Sequence, residues 1–241
     1  MLAIQLHSLR RETATDAEGT VRRVPSLGFD GVELAGTYGW PAEKWSRFLR
    51  ETKLHVVGAH VGLEALENEW EAQVAFQRAV QNHRLVVPAV PAQLRTPTGY
   101  GEAAARLNAL GKRATGEGFE LLYHNHAFEF EKLTDGSCGI GTLLHEANPQ
   151  LVRLEVDTYW VERGGCDSRA FIEQHAARIG TIHAKELRKQ DNADVPAGQG
   201  DIDWKFIVPL ARQNGWPLIV EYEGENAVPA VTESARYLSA F

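Results

Sequence analysis

The stretch Phe119-Glu-Leu-Leu-Tyr-His-Asn-His126 decides the fold. In it a short apolar run is followed at once by polar side chains, and a helical pattern over Glu102–Thr115 comes before it, with Gly116 after that pattern. A short apolar run between turn signals indicates a strand buried on both faces, as in a parallel sheet. This part of the chain is therefore expected to form a helix that leads into a buried strand.

Eight runs of this kind recur at intervals of roughly thirty residues, as expected for β/α units. They begin near Leu2, Gly31, Leu54, Arg84, Phe119, Leu151, Ile179 and Pro217. Eight strand–helix units in about 250 residues predict an α/β fold, a (β/α)8 TIM barrel. A doubly wound open sheet is the main alternative, but Gln5–Arg10 lacks the glycine-rich motif that usually follows the first strand of such a sheet. No linker divides the chain, so residues 1–241 are expected to form one domain.

The composition is that of a globular protein and argues against several classes. Of the 241 residues 44% are hydrophobic, and the net charge of −7 without a basic cluster disfavours a nucleic-acid partner. Two cysteines without C-x-x-C spacing fit a reducing compartment. No apolar run reaches the ~18 residues of a membrane span, and the first residues do not form a signal peptide. We expect a cytoplasmic protein without a membrane partner; homo-oligomerisation stays open.

Ionisable side chains are concentrated where the predicted strands end, which is where TIM barrels carry their active sites. They are His7, Glu33, His60, His124, His126, Glu129, Glu155, Asp157, His183, Lys185, Glu221 and Glu223. Because side chains alternate between the two faces of a strand, several of these can converge on the barrel axis. Charged groups inside an apolar barrel are costly unless they are paired or bind a metal. A cation would remove this cost, and the ligands expected from four consecutive strands are Glu129, Asp157, His183 and Glu221.

This expected ligand set has three carboxylates and one imidazole. Such an oxygen-rich site suits Mn²⁺ best, with Mg²⁺, Zn²⁺ and Co²⁺ as alternatives. Structural interpretations compete with the functional ones: His124 and His126 can satisfy hydrogen bonds in the barrel, Lys185 can form an ion pair, and Glu129 can cap a helix. Glu33 is expected to have a structural or supporting role.

Several motifs, taken together and in this order, are similar to those of a known family. They are Gln5–Arg10, Gly28–Leu34, His60, Tyr123-His-Asn-His-Ala-Phe-Glu-Phe130, Glu155–Trp160, His183-Ala-Lys-Glu186, Gly198–Trp204 and Val220-Glu-Tyr-Glu223. The chain resembles the sugar phosphate isomerase/epimerase group of xylose isomerase-like TIM barrels, in the subgroup with His-Asn-His-x-x-Glu-Phe. The resemblance implies one divalent metal held by a glutamate, an aspartate, a histidine and a second glutamate.

Two positions depart from the family pattern. Many relatives have His-x-Lys-Asp where this chain has Glu186, and in other branches the first metal glutamate occupies the strand position of His124. The first ligand is assigned to Glu129, five residues further on, by its motif.

The resemblance also implies proton transfer at a carbon next to a carbonyl, through a metal-stabilised enediolate. Glu129 and Glu221 are then expected to exchange protons on opposite faces of that carbon, which is epimerisation. His126 is expected to act as acid or base, and Lys185 to donate to a substrate oxygen. The residues expected to bind substrate are His7, His60, His124 and Trp160. The expected substrate is an unphosphorylated ketose, keto-sugar or related polyol.

Four alternatives to an isomerase or epimerase stay open at this point. The same site could eliminate water from a keto-sugar or keto-inositol, as a dehydratase does. A metal-free aldolase could instead use Lys185 as a Schiff-base nucleophile. Phosphodiester cleavage like that of endonuclease IV is disfavoured by the acidic balance of the chain, and a barrel that only binds sugar is the remaining possibility.

Overall fold

A closed barrel of eight parallel strands forms the centre of the molecule in the computed structural model, which describes residues 1–241. Its strands are β1 (Leu2–Gln5), β2 (Gly31–Leu34), β3 (His55–His60), β4 (Arg84–Val87), β5 (Glu120–His124), β6 (Val152–Asp157), β7 (Ile179–Ala184) and β10 (Leu218–Val220). Each strand pairs with the next along the chain, and β10 pairs with both β7 and β1 to close the ring. The predicted TIM barrel is confirmed, and each of the eight apolar runs contains a strand.

Helices surround the barrel and connect its strands. They are α1 (Arg10–Arg23), α2 (Ala42–Thr52), α3 (Leu63–Asn68), α4 (Trp70–Ala79), α5 (Pro97–Gly116), α6 (Gly139–Glu146), α7 (Thr158–Arg163), α8 (Ser168–His175), α9 (Trp204–Asn214) and α10 (Ala227–Ser239). Helix α5 begins before the predicted Glu102, because Thr96 accepts a hydrogen bond from the backbone N–H of Gly99 and Pro97 occupies the first turn. No helix is long and apolar enough to cross a bilayer.

A short antiparallel hairpin interrupts the alternation after β7. Its strands are β8 (Glu186–Arg188) and β9 (Ala193–Val195), which pair with each other and not with the barrel. No pattern in the sequence predicts this hairpin. It matters for the site because it follows directly after the end of β7, where His183 and Lys185 lie.

The barrel interior changes character along its axis. Ala3, Val57 and Ile219 form a small apolar cluster that is separate from the main core between the strands and the helices. Because alternate residues of a strand share a face, Gln5 and Glu221 point to the same side of their strands as Ala3 and Ile219. An apolar layer therefore lies towards the amino ends of the strands, and polar side chains follow it towards their carboxyl ends.

Two register shifts in the barrel coincide with buried glutamates. Val32 lies opposite Val56, but Glu33 lies opposite Gly58, so β3 has one extra residue at this point. On the other side of the barrel, Leu154 lies opposite Ile179 whereas Glu155 lies opposite Thr181. An extra residue of this kind bends a strand and changes the direction of the side chains beside it. Both shifts therefore help to set the direction of a carboxylate inside the barrel.

Candidate metal centre and active site

Four side chains that could ligate a metal meet at the carboxyl ends of the last four barrel strands. Each offers one ligand atom, these atoms all lie within 4.8 Å of one another, and all four residues are buried. They are His124 of β5, Asp157 of β6, His183 of β7 and Glu221, which follows β10. We call this group the cation cluster.

Asp157 is held in place through its backbone and one carboxylate oxygen. The Asn125 side chain accepts a hydrogen bond from Asp157 N (3.0 Å) and donates to Asp157 O (3.3 Å), which ties the end of β6 to the loop after β5. Asp157 Oδ1 accepts from Trp160 N at 3.0 Å and so caps α7. Asp157 Oδ2 is buried, has no hydrogen-bond partner and lies 3.8 Å from His183 Nδ1.

The unpartnered oxygen of Asp157 is the observation that tests whether these residues fit a cation. A buried carboxylate oxygen without a donor is unfavourable, and a bound cation removes that cost. Burial, and then the nearby Glu221 carboxylate, raise the pKa of Asp157 to about 8. His183 Nδ1 also lies in this group and hydrogen-bonds to Glu221 Oε2 at 2.8 Å, so a cation bound there would replace the proton between these two atoms. The residues of the cation cluster therefore fit a divalent ion.

A second polar layer, which we call the carboxylate floor, contacts the cation cluster through its histidines. It consists of Glu33 and Glu155, both fully buried. His183 Nε2 lies 2.6 Å from Glu33 Oε2 and 3.0 Å from Glu155 Oε1. His124 Nδ1 lies 3.1 Å from Glu155 Oε1. Each of the two histidines thus has one ring nitrogen against the floor.

His60, expected to bind substrate, is also part of this layer. Its Nε2 lies 2.8 Å from Glu155 Oε1 and 3.2 Å from Glu33 Oε2, and its side chain is only 17% exposed. Burial lowers the pKa of His60, but the charge of Glu33 and the hydrogen bond to Glu155 outweigh burial and raise it to about 10. A cationic His60 therefore balances the two carboxylates.

Glu129, which the sequence predicts as a ligand, is not among the four residues of the cation cluster. Its buried carboxylate accepts hydrogen bonds from the Tyr123 hydroxyl and from His126 N (2.8 Å). These bonds fold the loop after β5 back onto the strand, so the Glu129 side chain serves that loop. His124, which the sequence assigned to substrate binding, is the β5 residue in the cation cluster.

A wall of aromatic and cationic side chains stands beside the cation cluster. The His126 ring lies 4.9 Å from the His124 ring, 5.5 Å from the Trp160 ring and 5.4 Å from the Phe128 ring, with which it stacks. His126 Nδ1 is buried and has no hydrogen-bond partner. Burial, and then the charge of His124, lower the pKa of His126 to about 3. A neutral ring with an unpartnered nitrogen therefore lies beside the cation cluster.

Lys185 belongs to the same wall. Its ammonium lies 4.7 Å from the centre of the Trp160 ring and donates to Glu223 Oε2. Burial lowers the pKa of Lys185, but the nearby carboxylates outweigh it and raise the pKa above its usual value. Lys185 is therefore a charged donor. His7 lies further out at the rim, where its half-exposed ring is 4.0 Å from Glu223 Oε1.

Glu186, the departure from His-x-Lys-Asp, organises the chain after the hairpin. Its carboxylate accepts hydrogen bonds from four donors: the backbone N–H groups of Leu187, Gly198 and Ile202 and the indole N–H of Trp204. The Gly198–Trp204 motif is thus bound to one buried carboxylate. This role is structural.

Comparison with known proteins identifies the family. The model of the xylose isomerase-like TIM barrel family matches residues 21–241, and the chain belongs to this family, as its motifs predicted. The inosose dehydratase of Salmonella agona is 22% identical over 252 residues, which are 86% of this chain and 82% of that protein. A sugar phosphate isomerase/epimerase structure from Parabacteroides distasonis has a TM-score of 0.86 at 21% identity and covers 100% of this chain and 98% of its own.

A more distant structure extends the comparison to a second dehydratase. The probable 3-DHS dehydratase of Bacillus anthracis has a TM-score of 0.77 at 15% identity, over 99% of this chain and 98% of its own. At this level of identity the two structures establish the shared fold only. Family membership identifies the protein as an enzyme of the xylose isomerase-like superfamily.

Proposed function

We propose that the protein is a metal-dependent lyase that eliminates water from a cyclic keto-polyol, such as an inosose. The position of Glu129 disfavours the epimerisation pair expected from the sequence, and the dehydratase names of the relatives favour elimination. Epimerisation between Glu129 and Glu221 requires both carboxylates at the reacting carbon, but the Glu129 carboxylate is bound to Tyr123 and His126 N. Elimination requires one base and one acid, which the wall beside the cation cluster offers in His126 and Lys185.

The cation is proposed to bind to His124, Asp157, His183 and Glu221. Two imidazoles and two carboxylates are a softer donor set than the three carboxylates and one imidazole expected from the sequence. They disfavour Mg²⁺, which prefers oxygen, and suit Mn²⁺, Co²⁺ and Zn²⁺. When bound, such an ion supplies Lewis-acid stabilisation for negative charge that develops on a carbonyl oxygen. We propose Mn²⁺ as the first ion to test.

The chain's own residues then divide the proton transfers. His126 Nδ1, which has no partner in the protein, accepts the proton from the carbon next to the carbonyl; because burial lowers the pKa of this ring to about 3, the step requires negative charge that develops on the substrate beside the ring to raise it. The electron pair of that C–H bond forms a C=C bond while the C–O bond of the β-hydroxyl breaks. Lys185 donates a proton to the departing oxygen, which leaves as water. Trp160, which contacts both the His126 ring and the Lys185 ammonium, presents an apolar face to the ring of the substrate.

Relatives support the lyase reading over the other possibilities. The Salmonella agona relative is named inosose dehydratase, and so is a Clostridium perfringens protein that is 26% identical over 90% of this chain. A Schiff-base lysine needs a lowered pKa, whereas Lys185 is an ion-paired ammonium. The aldolase hypothesis is therefore the weaker one.

The decisive experiment follows the mass of the substrate. An inosose is incubated with the protein and Mn²⁺ in D₂O and analysed by mass spectrometry and proton NMR. We expect loss of one water and the appearance of an unsaturated ketone. Epimerisation would give deuterium incorporation without water loss, and that result would overturn the lyase proposal.

Variants test the assigned residues in the same assay. His126→Ala is expected to lower kcat by about 10²–10⁴-fold, the usual contribution of a general acid or base. Asp157→Asn and EDTA are each expected to abolish turnover. His145→Ala is the control, because His145 is an exposed histidine in the last turn of α6. Equal rates for His126→Ala and His145→Ala would remove His126 from the mechanism.

A further inference from the structure

We infer that the carboxylate floor, Glu33 and Glu155, holds His124 and His183 with the correct ring nitrogen facing the cation. The two glutamates are positioning residues and do not bind the ion themselves. This inference rests on the proposed metal centre and deepens it. It assigns a role to two buried charges that the proposed chemistry does not use.

Glu155 has the most contacts with histidine. Its Oε1 lies 2.8 Å from His60 Nε2, 3.1 Å from His124 Nδ1 and 3.0 Å from His183 Nε2. Its Oε2 accepts a hydrogen bond from the Thr181 hydroxyl at 2.7 Å. Both oxygens are thus engaged, and one of them gathers three imidazole nitrogens. A carboxylate that is fixed at both ends can in turn fix the rings that contact it.

Glu33 supports His183 from another strand. Its Oε2 lies 2.6 Å from His183 Nε2 and accepts a hydrogen bond from Gln5 Nε2 at 2.8 Å. Room for this side chain comes from Gly58 on β3, where a Cβ would lie 2.4 Å from Glu33 Oε1. The register shifts beside Glu33 and Glu155 add to this arrangement. Backbone geometry on both sides of the barrel is therefore adapted to the two glutamates.

The chemical consequence follows from what a carboxylate can do. An ionised carboxylate only accepts hydrogen bonds, so the imidazole nitrogen that faces it must carry the proton. His183 therefore keeps a proton on Nε2, while Nδ1, which lies 2.8 Å from Glu221 Oε2, exchanges its proton for the cation beside Asp157 and Glu221. In the same way Glu155 keeps the proton of His124 on Nδ1, so that Nε2 of His124 can bind the cation. Hydrogen bonds of this kind to a ligating histidine are typically worth 10–100-fold in metal affinity.

A second cation in the floor is the competing explanation. His60, His124, Glu155 and His183 also bring their ligand atoms within 4.8 Å of one another. In that group both oxygens of Glu155 have hydrogen-bond partners, whereas Asp157 Oδ2 in the cation cluster is buried without one. Glu33 Oε1 is also buried without a partner, but Glu33 belongs to neither group of ligand atoms. The contacts of Glu155 therefore favour a floor held by hydrogen bonds.

The test is the affinity of the protein for Mn²⁺ and Co²⁺, with the stoichiometry measured by calorimetry. Glu155→Gln and Glu33→Gln replace an acceptor oxygen by an amide that donates, so a histidine ring must turn or shift its proton. We expect one ion per native chain and 10–100-fold weaker binding by each variant, with a changed Co²⁺ absorption spectrum. Glu186→Gln is the matched control, because Glu186 is an equally buried glutamate that contacts no histidine; its affinity and spectrum are expected to stay native.

Gly58→Ala provides a second route that alters neither a ligand nor a glutamate. Its added Cβ displaces the Glu33 carboxylate, so binding is expected to weaken, and the effect should not add to that of Glu33→Gln. If native protein binds the ion but both Gln variants bind it equally well with native spectra, the inference is wrong and the metal centre stands. Two ions per chain also contradict the inference. If native protein binds no ion, the proposed function itself fails.

Discussion

Asp194 of β9 lies outside both polar layers. Its ionisation is expected to affect the stability of the folded protein. Its Oδ2 accepts a hydrogen bond from Glu223 N at 2.7 Å, and its Oδ1 is buried without a partner. Burial raises the pKa of Asp194 to about 7, the nearby Lys185 opposes this rise, and the carboxylates of Glu221 and Glu223 add to it. The folded protein therefore binds this proton more tightly than the unfolded chain.

The sign of the pH dependence follows from this difference. An unfolded aspartate titrates near pH 3.9, so the contribution of Asp194 to stability is fully present below that pH and is lost as pH rises through about 7. We expect Asp194→Asn to remove this loss of stability, which is on the order of 1 kcal/mol per pKa unit before solvent screening. Urea unfolding of the native protein and the variant at pH 5 and pH 8 measures the difference. The exposed Asp191→Asn is the control. An unchanged pH dependence in Asp194→Asn would show that another group is responsible.

His124 and Glu129 show what the sequence could establish at the scale of single residues. Asp157, His183 and Glu221 could be predicted as neighbours, since each stands in or directly after an otherwise apolar strand. Glu129 was assigned from its motif, although the strand position belongs to His124. The structure brings His124 to the cluster because a residue within β5 points along the fixed alternation of the strand. Glu129 lies in a loop, and the direction of a loop side chain cannot be read from spacing.

At the scale of elements, α5 packs very closely against the start of β6. A Cβ on Gly111 would lie 2.4 Å from the backbone oxygen of Leu151, whereas one on Gly116 in the same helix would meet nothing within 4 Å. We expect Gly111→Ala to lower the free energy of unfolding by about 1–3 kcal/mol, because backbone must move. Gly116→Ala is expected to be neutral or to stabilise by up to about 1 kcal/mol. Urea unfolding of Gly111→Ala and Gly116→Ala checks both expectations. Equal stabilities of the two variants would mean that α5 can move away from Leu151 at no cost.

The barrel strands and the hairpin differ in how well the sequence could predict them. Strands buried on both faces leave continuous apolar runs, so all eight were found at the predicted places. Strands β8 and β9 have only three residues each and include Arg188 and Asp194, so neither gives an apolar run or a clear alternation. The register shifts at Glu33 and Glu155 also leave no pattern, because they arise from pairing between strands that are distant in the chain.

At the scale of the whole molecule, the layers of the barrel are stacked along its axis. The apolar cluster of Ala3, Val57 and Ile219 lies towards the amino ends of the strands, and the carboxylate floor and the cation cluster follow towards the carboxyl ends. The two polar layers share His124 and His183, each of which contacts the floor through one nitrogen. A change in either layer is therefore expected to affect the other, although they are assigned different roles.

Binding of an ion to the cation cluster should stabilise the entire barrel, because the four residues of the cluster come from strands distributed over the second half of the chain. A ligand that binds only the folded state adds about 2.7 kcal/mol at 100 times its dissociation constant. For a chain of this length that corresponds to a rise in Tm of about 5–10 °C. We expect Mn²⁺ to produce this rise in native protein and EDTA to reverse it, as measured by calorimetry. Asp157→Asn should show no rise while keeping the cap on α7 through its amide oxygen; a rise in this variant would place the ion outside the cation cluster.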